Sequence, residues 1–223
     1  MAIKYNKLFQ LDQKFNNKIT WEAFRTLPSW NEVIYQFENR IKNYFFCPIK
    51  KLYKYSFYRR LKYVHNFPIS NICWSLLDLL AQLELGKNVN GLEVDKFMQR
   101  NSKYFININA AINLANSYQM PGSRYNFTLY DIFRNKPFHN AMVKGLGSLD
   151  NTSSDVFTIN NGILNIDGKI FKMDYIIENP IRLYEAIVLY FKSYISYLKI
   201  DQNFKRNFKN RLESLFEFKF SII

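Results

Sequence analysis

Hydrophobic positions along this chain recur mostly at intervals of three and four, the signature of helices that bury one face. From Trp30 to about Phe46, Val33, Ile34, Phe37, Ile41, Tyr44 and Phe45 mark one such stripe, and Pro48 is expected to interrupt or kink it. Upstream, Thr20 can cap a short helix at Trp21 that Pro28 breaks. Phe67-Pro68 opens the clearest helix. Ile69, Ile72, Cys73, Leu76, Leu77, Leu80 and Leu83 share a face and Gly86 supplies the stop, so this segment is expected at the centre of the core. Asp78 interrupts the apolar run and must either face solvent or find a partner inside. One or two helices follow over 92–119, with Leu92, Phe97, Tyr104, Phe105, Ile108, Ile112 and Ala115 as inward candidates. MPGSR at 120–124 reads as a turn, and another helix begins at Asn126 with Phe127, Tyr130 and Phe133 at spacing three.

The pattern changes after Gly145 and Gly147. A polar loop, LDNTSSD, leads into DVFTINNGILNIDGKIFKMDY, where Asn161-Gly162 and Asp167-Gly168 are tight-turn signals between short β-rich runs. Two or three short antiparallel strands are expected over about 155–175. Asn179-Pro180 then starts a helix striped by Ile181, Tyr184, Ile187, Val188, Phe191, Ile195 and Leu198. A final helix carries Phe204, Phe208, Leu212, Leu215 and Phe216. The expected fold is mainly α, with a short β-hairpin or meander inserted before the last core helix. Residues 1–29 read as an N-terminal extension, 30–200 as the helical domain with its β insert, and 201–223 as a C-terminal helix.

Composition supports this division. The chain has 223 residues, 48% of them apolar, with only 7 Gly and 6 Pro, which favours long helices in one domain over a turn-rich β-sandwich. The N-terminus lacks the continuous apolar segment of a signal peptide. The longest apolar stretch, ICWSLLDLLAQLEL, is too short to span a bilayer. Cys47 and Cys73 sit in apolar sequence surroundings and read as buried free thiols. A soluble cytoplasmic protein with no membrane partner is the expectation. Two Cys and two His without paired spacing make no zinc motif, and there is no glycine-rich phosphate loop or nucleophile elbow. No metal and no cofactor are expected.

Charge narrows the partner. The formal net charge is +13 at pH 7, which favours an anionic partner, nucleic acid first. A competing source is codon composition, since Lys, Asn, Ile, Phe and Tyr are all specified by A/T-rich codons. At 50–65, KKLYKYSFYRRLKYVH interleaves Lys50, Lys51, Lys54, Arg59, Arg60 and Lys62 with Tyr53, Tyr55, Phe57, Tyr58 and Tyr63. Such a strip can track RNA phosphates and stack bases. It can equally be a helix with a solvated basic face and its aromatics in the core.

One stretch carries candidate chemistry: FRNKPFHNAM, 133–142, with Arg134, Asn135 and His139. RNA can be cleaved without metal, because its own 2′-hydroxyl attacks the adjacent phosphorus. That reaction needs a group titrating near neutrality, which histidine supplies, and a fixed cation on the developing charge, which arginine supplies. Five residues along a helix rotate by about 140°, so an unbroken helix would point the two side chains apart. Pro137 intervenes and is expected to turn the chain between them. Arg60 and His65 repeat the spacing at a helix boundary and read as a coincidence.

RNKPFH, with a polar residue after the arginine, resembles the R-[polar]-x-x-x-H motif of HEPN domains, helical RNA- and nucleotide-associated domains of prokaryotic toxin–antitoxin and phage-defence systems. ISNICWSLLDLLAQLELGKNV and DKFMQRNSKYF resemble their long core helix and the next one. LYDIFRNKPFHNAMV resembles the start of the motif helix, and IENPIRLYEAIVLYFKSYISYL the last core helix after a variable loop. The resemblance covers roughly residues 30–200 and implies a helical bundle that dimerises around a shared cleft. It implies a metal-independent endoribonuclease of the toxin or defence-effector type, in which Arg134 contacts the scissile phosphate, His139 is the acid/base and Asn135 orients one of them. The alternative within the same resemblance is a non-catalytic protein- or RNA-binding module, phage- or plasmid-encoded, with a protein partner or antitoxin. Pro137 is the departure from the family pattern.

Overall fold

A computed structural model describes residues 27, 29–59, 65–118, 126–135, 147–166, 169–217 and 219–220. The chain is mainly helical with one small sheet. Helix α1 (Trp30–Ile41) starts at Ser29, whose hydroxyl accepts the Glu32 N–H at 3.3 Å. It continues without a break through a π-helical turn, Lys42–Phe46, into α2 (Cys47–Arg59). The interruption expected at Pro48 is therefore absent. Proline removes one helical hydrogen bond and crowds the preceding turn. The wide π-turn just upstream takes up that mismatch while the chain stays helical. Phe46 locks the junction down, edge-on to Tyr184 at 5.8 Å and to Phe191 at 5.5 Å.

Helix α3 (Asn66–Leu85) is the central element: of its predicted stripe Ile69, Cys73, Leu76, Leu77, Leu80 and Leu83 are buried and Ile72 is half-buried, and Trp74 is buried beside them. It ends at Gly86, which adopts a left-handed φ of 70° and gives its N–H to the Gln82 carbonyl at 2.8 Å. Helices α4 (Gly91–Arg100) and α5 (Ile108–Ser117) follow, α4 opened by a capping box between Asn90 and Glu93. Leu129 and Tyr130 then begin a short helical segment that widens into a second π-turn, Asp131–Asn135. Helices α6 (Pro180–Ile200) and α7 (Gln202–Phe216) complete the bundle, with Asn179 and Asp201 as their caps. Both α6 and α7 pack on α3.

The sheet has the order β1 (Gly147–Leu149), β3 (Lys169–Glu178), β2 (Phe157–Ile166). It departs from expectation in two ways. The short strand β1 runs parallel to β3, not antiparallel. The hairpin strands are ten residues each, and Asn161-Gly162 lies within β2, opposite Asp174 and Met173. The turn preference of an Asn-Gly pair is a local one, and continuous pairing along β3 overrides it. Ile166 pairs with Lys169, so the connection is 167–168, which lies outside the described residues. The hairpin leads directly into α6, and both of its strands pack on α5.

Candidate functional site

The segment that carries Arg134 is fixed at its N-terminal end by side chains. Thr128 Oγ1 accepts the Asp131 N–H at 3.0 Å, and Asp131 Oδ2 accepts the Thr128 N–H at 3.2 Å and its hydroxyl at 2.7 Å. From α4, the buried Asp95 accepts the Leu129 N–H at 2.9 Å and the Tyr130 N–H at 3.3 Å. These carboxylates satisfy backbone donors that the start of a helix leaves open. Burial pushes the Asp95 carboxyl up to about 7, against the two N–H groups that favour its charge and with the Asp131 charge adding to the rise.

The segment's inner face is equally fixed. Leu129, Ile132 and Phe133 are buried, and Phe133 lies parallel to the Trp74 indole with ring centres 6.1 Å apart. The Trp74 indole N–H donates to Glu178 Oε2 at 2.7 Å. Glu178 is fully buried at the end of β3, and burial pushes its carboxyl up to about 7 despite the bonds from Trp74 and Ser70. The same burial, helped by Glu178, raises the Cys73 thiol.

Arg134 is half-buried at the end of this segment, its Nε sealed from solvent. Its charge reaches the Tyr130 phenol, which burial and Asp78 push up and Arg134 pulls down. Tyr130 donates to Asp78, Gln82 donates to Asp78 at 3.0 Å, and Gln82 Oε1 accepts from Arg211 Nε at 2.8 Å and from its Nη2. Asp78, half-buried, therefore finds side-chain partners, and Arg134 borders a polar network that ties its segment, through Tyr130, to α3 and α7. Asn135 is the last residue of the turn. Pro137 and His139 lie outside the described residues, and with them the bend expected between Arg134 and His139.

The second candidate surface is α2. Ile49 is buried and Leu52 packs on the core, so the opposite arc of the helix must face outward. Lys50, Lys51 and Lys54 are exposed there. So are Tyr53 and Tyr55, at 49% and 50%. The reading that buries the strip's aromatics fails for these two. Cys47 is also exposed on this arc, which corrects its expected burial, whereas Cys73 is buried. Cys47 lies one turn before Lys50 and Lys51, away from the Ile49–Leu52 edge, so apolar neighbours in sequence did not make an apolar environment. Arg59 closes α2, while Arg60 and Lys62 lie outside the described residues. His65 precedes α3 and packs edge-on to Tyr55, ring centres 5.5 Å apart.

Two residues of this architecture escaped the sequence reading. Asp95 is flanked by buried Val94, Phe97 and Met98, an acid within an apolar stripe, which is the same signal that singled out Asp78. Glu178 ends the apolar run Tyr175-Ile176-Ile177 and offers no comparable signal. Among the described residues no cluster of three His, Cys, Asp or Glu side chains is placed to hold a metal. Compared with known proteins, the chain matches no family model, no curated sequence and no solved structure.

Proposed function

We propose that this chain binds RNA through the outer face of α2, on a helical scaffold of the HEPN-like kind. The observation that carries the reading is the shared exposure of Lys50, Lys51, Lys54, Tyr53 and Tyr55 on a helix whose other side is pinned to the core. Lysines supply the charge that displaces counterions from phosphates, and exposed tyrosines supply faces for bases. The net charge of +13 adds a long-range attraction of the same sign. The test is anisotropy of labelled RNA with EDTA present. Replacing Lys50, Lys51 and Lys54 together by Ala is expected to weaken binding on the order of tenfold or more. Alanine favours helix, so the circular-dichroism spectrum should hold. Equal affinity of the variant and the parent would refute the assignment.

A second reading adds cleavage. It is favoured by the firmly capped segment that carries Arg134, since transition-state stabilisation requires a cation held in advance. Under it Arg134 binds the scissile phosphate, His139 moves the proton and Asn135 orients one of them, with a partner copy completing the cleft. The same labelled RNA tests it. Cleavage that persists in EDTA and disappears in His139→Ala supports it. Intact RNA bound by both proteins leaves binding alone.

A further inference from the structure

We infer that α2 takes single-stranded RNA in preference to a duplex, with its lysines on the sugar-phosphate backbone and bases stacked on Tyr53 and Tyr55. The inference rests on the RNA-binding reading and specifies its ligand. It comes from the order of side chains around the helix. Successive residues turn by about 100°, so viewed down the axis the exposed arc runs Tyr53, Lys50, Lys54, Cys47, Lys51, Tyr55 over about 200°. All six are exposed, while Ile49 and Leu52 occupy the remaining arc against the core. The three lysines thus form the middle of the outward face and the two tyrosines form its two borders.

That order discriminates between nucleic-acid forms. A duplex presents only phosphates and groove edges to such a surface, because its bases are already paired and stacked. It would engage the lysines and leave both phenol rings idle. A single strand lying along the lysines has bases free to splay to either side, where a tyrosine face lies. Stacking of this kind tolerates any base, since every base has a π-face. The Tyr55 ring already packs edge-on against His65, which limits its rotation while half of it stays exposed. A platform held in place loses less freedom when a base settles on it.

Cys47 lies within the lysine arc and Cys73 is buried, so alkylation of the folded protein reads this face. The experiment compares a short oligouridine with its duplex with oligoadenine, at equal phosphate concentration, for the parent chain, Tyr53→Ala and Tyr53→Trp. The oligouridine is expected to bind more tightly than the duplex and to slow alkylation of Cys47 severalfold. Tyr53→Ala should weaken oligouridine binding by roughly fivefold to a hundredfold, the usual range for loss of one stacking ring, and Tyr53→Trp should restore it. Equal binding of both forms, or no effect of Tyr53→Ala while the triple lysine variant still weakens both, overturns the single-strand inference and leaves RNA binding standing. Binding without protection of Cys47 places the strand elsewhere and also overturns it. If neither form binds the parent chain, the RNA-binding reading itself falls.

Discussion

Glu178 is fully buried, with one carboxyl oxygen held by the Trp74 indole, and its pKa rises from the ordinary 4.5 to about 7. A carboxyl raised in the fold takes up a proton on folding. Its stabilising contribution is complete below about pH 4.5, declines as pH rises toward about 7, and is flat above that. Over this interval the loss is on the order of 3 kcal/mol. Asp95, raised from 3.8 to about 7, adds a loss of the same sign over a similar window. Glu178→Gln keeps an oxygen for Trp74 and removes the proton uptake. Thermal melts of this variant should match the parent near pH 5 and exceed it near pH 8. A variant that loses stability between these pH values as steeply as the parent would show that Glu178 does not titrate there.

At the scale of elements, two joints hold α7 on the end of α3 and the Arg134 segment on α4. The first is Gly86, where α3 stops. Its φ of 70° suits glycine, and an added Cβ would stand 3.0 Å from the Asn207 Cα of α7, whose amide donates to the Glu84 carbonyl at 2.7 Å. Gly86→Ala therefore meets both backbone strain and a steric contact, and should cost about 2 kcal/mol or more in denaturant unfolding. A change within about 0.5 kcal/mol, the range of ordinary surface substitutions, would mean that α7 shifts without cost. The second joint is Asp95 under the Arg134 segment. Asp95→Ala should speed amide exchange at Leu129 and Tyr130 about tenfold or more, while the amides of α6 keep their protection. A uniform change across the protein would argue against a local clasp.

These joints also mark how far the sequence can be read. The α3 stripe and its Gly86 stop were legible because period and punctuation are local. The hairpin was legible as β but not in register. Asn161-Gly162 and Asp167-Gly168 carry equal local signals, and pairing with β3 decides between them. On α2, one residue decides which way a tyrosine points, and the interleaved strip offers no clear stripe to fix it. Only the packing of Ile49 and Leu52 sets Tyr53 and Tyr55 outward. The Arg134 motif was visible as three residues. Its surroundings were not, because Asp95 caps the segment from α4 while Asp78 of α3 holds Tyr130 and Arg211 of α7 joins that network through Gln82. Burial lowers the Arg211 pKa and the Asp78 charge opposes that shift, a balance no local pattern announces.

For the molecule as a whole, one apolar core runs from Leu27 to Phe220, and no helix among the described residues is long and apolar enough to cross a membrane. The net charge of +13 sits on this scaffold with an exposed lysine and tyrosine face on α2. Charge alone would give attraction spread over the whole surface, whereas a built face concentrates phosphate contacts in a few residues. A salt titration of oligouridine affinity separates the two. Each phosphate contact on a single strand contributes about 0.7 to the slope of log affinity against log salt. Replacing Lys50, Lys51 and Lys54 by Ala should lower that slope by about 2 relative to the parent chain. An unchanged slope would contradict the built face, because the charge that meets RNA would then lie somewhere other than α2.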